Sequence, residues 1–146
     1  MEIESRATAI AIPKINIRTL TWFTALILVA SVLPHFVHNQ LVTGPIVNAT
    51  LFLGTVTLSS GLATLVGLVP SVAALSSGLL PIVLAPMVPF IMISNAVLVL
   101  VFAALRKSNF WLAAVAASLL KYFFLYATSF AVTNIILQKP IAAKAA

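Results

Sequence analysis

Apolar residues run through this chain in long unbroken stretches, separated by short clusters of Pro, Gly, Ser and basic residues. The stretches are too continuous for the in–out alternation of a β-barrel and predict helices. A first helix covers residues 20–33 or slightly more, and Pro34 ends it. The segment HFVHNQLVTG then reads as a loop or re-entrant turn. A second helix opens at Pro45, a favoured first-turn residue, and runs to about residue 58. Ser59, Ser60 and Gly61 mark a tight turn. A third helix spans residues 62–75, interrupted by Pro70, and Ser76, Ser77 and Gly78 break it. Pro81, Pro86 and Pro89 make an irregular entry into a fourth helix, which settles by Val88 and runs to Leu105. Arg106, Lys107, Ser108 and Asn109 form a basic turn before a fifth helix over residues 110–137. The second and third helices are short for a membrane span and must tilt, break or pack inside a bundle.

Composition turns this pattern into a membrane expectation. Of the 146 residues, 62% are hydrophobic and only 7% charged, against roughly 25% charged in a soluble domain. The expected fold is an all-α integral membrane protein, a compact bundle of about five transmembrane helices. Residues 1–19 form a cytoplasmic or interfacial lead-in, 20–137 a single transmembrane domain, and 138–146 a short tail or the truncated start of a sixth helix. Most basic residues flank the apolar runs, so the net charge of +6 reads as topology signal and headgroup anchor rather than nucleic-acid binding. Arg6, Lys14 and Arg18 precede the first helix, and Arg106 and Lys107 follow the fourth. A cytoplasmic N-terminus in the cell membrane satisfies both clusters, whereas Lys139 and Lys144 then fall on the disfavoured side. The absence of cysteine removes disulfides, thiolate metal sites and cysteine nucleophiles. No phosphate-cradling loop is present, so the chain has no means to hydrolyse ATP.

Against this apolar background Lys121 stands out. It lies eleven residues from both Phe110 and Val132, about 16 Å from either helix end and beyond the reach of a snorkelling side chain. The only acidic residues are Glu2 and Glu4, at the far N-terminus. An intramembrane cation marks a functional site by default, and its partner must be a ligand, another subunit, backbone carbonyls or water. Ser118, Tyr122, Tyr126, Ser129 and Thr133 share one face of the fifth helix, and Lys121 borders it. One reading is a ligand pocket, with Lys121 on an anionic or carbonyl group and the tyrosines on a ring. The other is a structural lysine on carbonyls freed near the prolines, or one drawn to the interface by bilayer thinning. Asn48 with Thr50, and Ser94 with Asn95, either read a ligand's polar edge or join helices. His35, His38, Asn39 and Gln40 form a gate over an outward pocket, or a solvated loop. A metal on the two histidines lacks a third ligand.

The order of features resembles the substrate-binding S components of energy-coupling factor (ECF) transporters, importers of vitamins and micronutrients. The features are Thr43-Gly44-Pro45, a short helix with Asn48, the segment SSGLATLVGLVPSVAALSSG, the Pro-rich entry to the fourth helix, a basic turn, and a long helix with an internal lysine. The resemblance covers residues 20–137. It implies a six-helix family fold with both termini cytoplasmic. It also implies partnership with a transmembrane coupling subunit and two ATPase subunits, although the Ala-x-x-x-Ala docking pattern is missing from the first helix. The expected function is capture of a small anionic molecule from outside, without catalysis or cofactor. The candidate substrate-binding residues are Lys121, Tyr122, Tyr126, Ser118, Asn95, Asn48, His38 and Asn39. The alternative is a membrane anchor or assembly subunit of a larger, conceivably redox, complex, with Lys121 paired to a partner's carboxylate.

Overall fold

The computed structural model describes residues 16–37, 40–76 and 82–134. Within them the chain forms five α-helices: α1 (Ile17–Phe36), α2 (Gln40–Thr57), α3 (Ser60–Ser76), α4 (Val88–Leu105) and α5 (Phe110–Val132). A 3-10 segment, Ile82–Met87, leads into α4. Side chains set several of the boundaries. Asn16 caps α1 by accepting from the Arg18 N–H, and Asn109 caps α5 by accepting from the Leu112 N–H at 3.1 Å. The Ser59 hydroxyl accepts from the Leu62 N–H, so α3 begins at Ser60 and the turn before it is only Leu58 and Ser59. Each cap satisfies an N–H that the first helical turn leaves open.

The largest departure from the sequence reading lies between α1 and α2. Pro34 does not end α1, which continues to Phe36, with the Val37 N–H on the Leu33 carbonyl at 3.1 Å. A proline removes one backbone bond, here the one to the Ala30 carbonyl, and the helix continues for only two residues beyond it. At the other side α2 starts at Gln40, so Pro45 sits inside the helix rather than in its first turn. Of the ten residues 35–44 expected to form a loop, 35–36 belong to α1 and 40–44 to α2. His35 belongs to α1 and Gln40 opens α2, while His38 and Asn39 lie outside the described residues. Helix α3 likewise runs through Pro70. The expected break at Ser77-Gly78, the lead-in before residue 16, and the last residues of the fifth helix with the tail also fall outside the described residues.

Helix α4 is the hub. It packs against α2, α3 and α5, and α1 packs against α2 and α3. The buried core joins Leu26 and Ala30 of α1, Leu51 of α2, Ala63 and Val66 of α3, and Leu98, Val99 and Phe102 of α4 to Ala113 and Ala117 of α5. Phe102 anchors one end, with Phe52 at 4.6 Å and Phe110 at 5.3 Å between ring centroids, separations at which aromatic pairs attract beyond simple burial. The outward surface is apolar: Trp111 is 78% exposed, and Leu112, Val115, Phe123 and Phe130 of α5 are exposed with it. Five polar residues lie inward, with Thr50, Thr55, Ser71, Ser94 and Asn95 buried. Several hydroxyls bond back to their own helix, Thr55 to the Leu51 carbonyl at 2.7 Å and Ser94 to the Ile91 carbonyl at 2.7 Å, and so need no water. Two helical stretches, Ala85–Leu105 and Phe110–Val132, are long and apolar enough to cross a membrane.

Gly67 brings α3 close to its neighbours. A Cβ there would stand 3.1 Å from both Asn95 Cβ and Leu51 Cδ2, in surroundings with no room to retreat. At Gly54 the closest approach is 3.4 Å, to the end of the Leu26 side chain. Gly67→Ala is expected to cost about 1–3 kcal/mol, the usual range for an overpacked core. Gly54→Ala, which meets ordinary contacts, should cost less than about 1 kcal/mol. Thermal unfolding of the two variants in detergent checks the order, and equal losses would contradict the packing described.

Candidate functional site

Lys121 reaches the interior because of the face it occupies on α5. Ala113, Ala117, Lys121 and Leu125 recur every four residues and form one stripe. The two alanines are fully buried against the core, so the stripe faces α4 and carries the lysine inward. Small residues let the helices approach closely, and the ammonium then meets side chains from two other helices. Lys121 Nζ donates to Asn48 Oδ1 of α2 at 2.5 Å and to Asn95 Oδ1 of α4 at 2.7 Å. Asn95 is 2% exposed, and its Nδ2 donates to the Gly67 carbonyl of α3 at 2.7 Å. A chain of three hydrogen bonds thus links α2, α5, α4 and α3. All four residues sit near the middle of their helices, so the polar chain crosses the bundle at mid-height.

The bond pattern fixes one amide and leaves the other free to turn. An ammonium only donates, and a backbone carbonyl only accepts. The Asn95 amide between them therefore has a single orientation. Asn48 has no such second restraint: among the described residues its Nδ2 makes no hydrogen bond. Both partners of the lysine are neutral, so the positive charge is solvated by dipoles but not compensated. No carboxylate occurs among the described residues, since Glu2 and Glu4 precede them.

The cluster lines an open cavity of about 480 Å³ between α2, α3, α4 and α5. Thr43, Gly44, Pro45 and Val47 of α2 form one wall with Asn48. Pro70 and Ser71 of α3, Val88, Ile91 and Asn95 of α4, and Ser118, Lys121, Tyr122 and Leu125 of α5 complete it. A few polar groups converge in otherwise apolar walls, as in small-molecule sites generally.

Of the residues singled out from sequence, Lys121, Asn48, Asn95, Ser118 and Tyr122 come together at this cavity. Tyr126 does not line it. It is 66% exposed and stacks on Tyr122, itself 61% exposed, with centroids 6.3 Å apart. The Ser118–Tyr122–Tyr126 stripe therefore starts at the cavity and runs out onto the surface, where Ser129 and Thr133 are also exposed. His38 and Asn39 lie outside the described residues. Sequence reasoning missed Gly67 and Ser71 as parts of the site. Lys121 borders the Ser118–Tyr122 face, as expected, and also belongs to the Ala113–Ala117 stripe packed on α4, which the sequence reading did not single out. The four-residue alanine spacing was the available signal for that packing face.

No family model matches this chain, and neither a characterised protein nor a solved structure is significantly similar to it.

The cluster's energetics are coupled. Asn95→Leu removes one acceptor from the buried lysine and one donor from the Gly67 carbonyl, at an expected cost of about 1–3 kcal/mol. In Lys121→Met/Asn95→Leu no buried charge is left behind, so the double variant should be more stable than the sum of the single losses by about 0.5–3 kcal/mol. Strict additivity in a double-mutant cycle of unfolding would mean that the two side chains do not interact.

Proposed function

We propose that this protein is a membrane-embedded substrate-capture subunit that binds a small anionic molecule in the Lys121 cavity and hands it to a transport machine. One observation carries the reading: an ammonium held only by neutral amides, at mid-height of the bundle, on the wall of an open and largely apolar cavity. An uncompensated charge in such surroundings is costly to keep. An anionic occupant offsets that cost and gains the attraction of a low-dielectric site.

Membrane insertion is supported by the two helices of spanning length and by the arrangement of polar side chains inside and large apolar ones outside. Helices α1, α2 and α3 cross as shorter, tilted members of the same bundle. The N-terminus and the Arg106–Lys107 turn face the cytoplasm of the cell membrane, as the positive-inside rule favours. The function rests on binding rather than catalysis. Energy comes from partner subunits of the energy-coupling factor type, one transmembrane coupling subunit and two ATPases, in keeping with the sequence resemblance.

Two experiments test this. Native mass spectrometry of the purified chain should release a small anion from the wild type and none from Lys121→Met. A wild type without ligand but with a stoichiometric protein partner would instead support an assembly subunit whose partner supplies the counter-charge. For orientation, the absence of native cysteine makes Ser108→Cys a unique label site. A membrane-impermeant maleimide should modify it only after cells are permeabilised, and labelling in intact cells would reverse the topology.

A further inference from the structure

Resting on the reading of an anion site, we infer that the ligand carries a carboxylate, held between Lys121 and an Asn48 side chain whose amide has turned over. The argument starts from the unequal restraint of the two asparagines. Asn95 is held at both ends, its Oδ1 on Lys121 and its Nδ2 on the Gly67 carbonyl. It cannot turn without leaving two groups mismatched. Asn48 is held at one end, through Oδ1 on Lys121. A half-turn about its last side-chain bond exchanges this acceptor for the two donors of Nδ2, which no described residue engages.

With the ligand absent, Asn48 serves the cation. With an anion present, the Lys121 ammonium donates to one ligand oxygen in place of Asn48 Oδ1. The turned Nδ2 then donates to the neighbouring oxygen, and Asn95 keeps its bond to the lysine. A carboxylate fits this exchange because it is planar, accepts only when ionised, and offers two oxygens side by side. A dianionic phosphate group would bring a second negative charge, for which the described cavity wall holds no cation. A neutral primary amide can accept from Lys121 and donate to an unturned Asn48, but it brings no charge to the ammonium. The apolar part of the ligand rests on Val47, Val88, Ile91 and Leu125. Lys121 thus supplies the preference for negative charge over neutral isosteres, and the turned Asn48 adds a second donor for the neighbouring carboxylate oxygen.

The test uses the full chain in lipid nanodiscs and a panel of phenylalkyl carboxylates, each with its matched primary amide, sulfonate and phosphate monoester. Binding is measured by calorimetry, and the asparagine side-chain amides are followed by proton–nitrogen NMR. The carboxylates should bind at least about tenfold more tightly than their amides, as expected for a hydrogen bond to a charged group. Asn48→Leu should weaken the carboxylate about tenfold, the loss of a hydrogen bond to a charged group, and Asn48→Asp should abolish binding by placing a carboxylate on the lysine. Asn48→Gln, which retains an amide, controls for folding and should bind within several-fold of wild type. Added carboxylate should shift the Asn48 amide signals and leave those of Asn95 in place. If Lys121→Met abolishes carboxylate binding and Asn48→Leu leaves it intact, the amide exchange is wrong and the anion site stands. Tighter binding of the sulfonates or phosphates overturns the carboxylate class and again leaves the anion site standing. If the wild type binds no member of the panel at millimolar concentration, both readings fall.

Discussion

A lysine ammonium at the middle of an apolar helix bundle must be solvated by the protein itself, and much of this architecture follows from that requirement. Lys121 lies at the middle of α5, far from either end, and the bundle supplies two amide oxygens to its ammonium, one from α2 and one from α4. Each amide oxygen comes from a different helix, so the cation also fixes how those helices sit. The lysine determines the inward face of α5, Asn95 sets the register of α4 against α3 through the Gly67 carbonyl, and Gly67 must lack a side chain for Asn95 to fit. Cation, amide and glycine form a single constraint spread over four helices.

The choice of amides over carboxylates has a chemical consequence. An aspartate in place of Asn48 or Asn95 would solvate the ammonium more strongly and cancel its charge. Two amides solvate it and leave the charge in place. A buried ion pair with satisfied partners is closed to a third group, whereas a cation on two dipoles can exchange one of them for an anion. The open cavity beside the cluster gives that anion somewhere to sit, against Val, Ile, Leu and Pro side chains.

Much of this was legible in the sequence, for identifiable reasons. Helices α4 and α5 are long apolar runs closed by the Arg106–Asn109 turn, and their shared boundary was read almost to the residue. Lys121, Asn48 and Asn95 drew notice because polar side chains are costly in such runs, and they meet in space. Local punctuation was less informative. Pro34 and Pro45 were read as a helix end and a helix start, yet both lie inside helices, because packing across the bundle outweighs one lost backbone bond. The predicted gate loop shrank accordingly. The direction of each helix face was also hard to read: the Ser118–Tyr122–Tyr126 stripe marks one face without saying where it points, and the buried Ala113 and Ala117 show that the packed face is turned by one residue from it. Gly67 could not be assigned a role without its neighbours, because close approach between helices leaves no mark on a sequence beyond the glycine itself.

The central claim is that Lys121 is solvated by Asn48 and Asn95 inside the bundle rather than by the membrane surface. Solid-state NMR on the chain in phospholipid bilayers, with nitrogen-labelled lysine side chains and carbon-labelled asparagine, measures this directly. The account predicts dipolar contacts from Lys121 Nζ to the side-chain carbonyl carbons of both asparagines, each at about 3.5 Å, the sum of hydrogen-bond and carbonyl geometry. A contact from Lys121 Nζ to lipid phosphorus, with neither asparagine within reach, would contradict it.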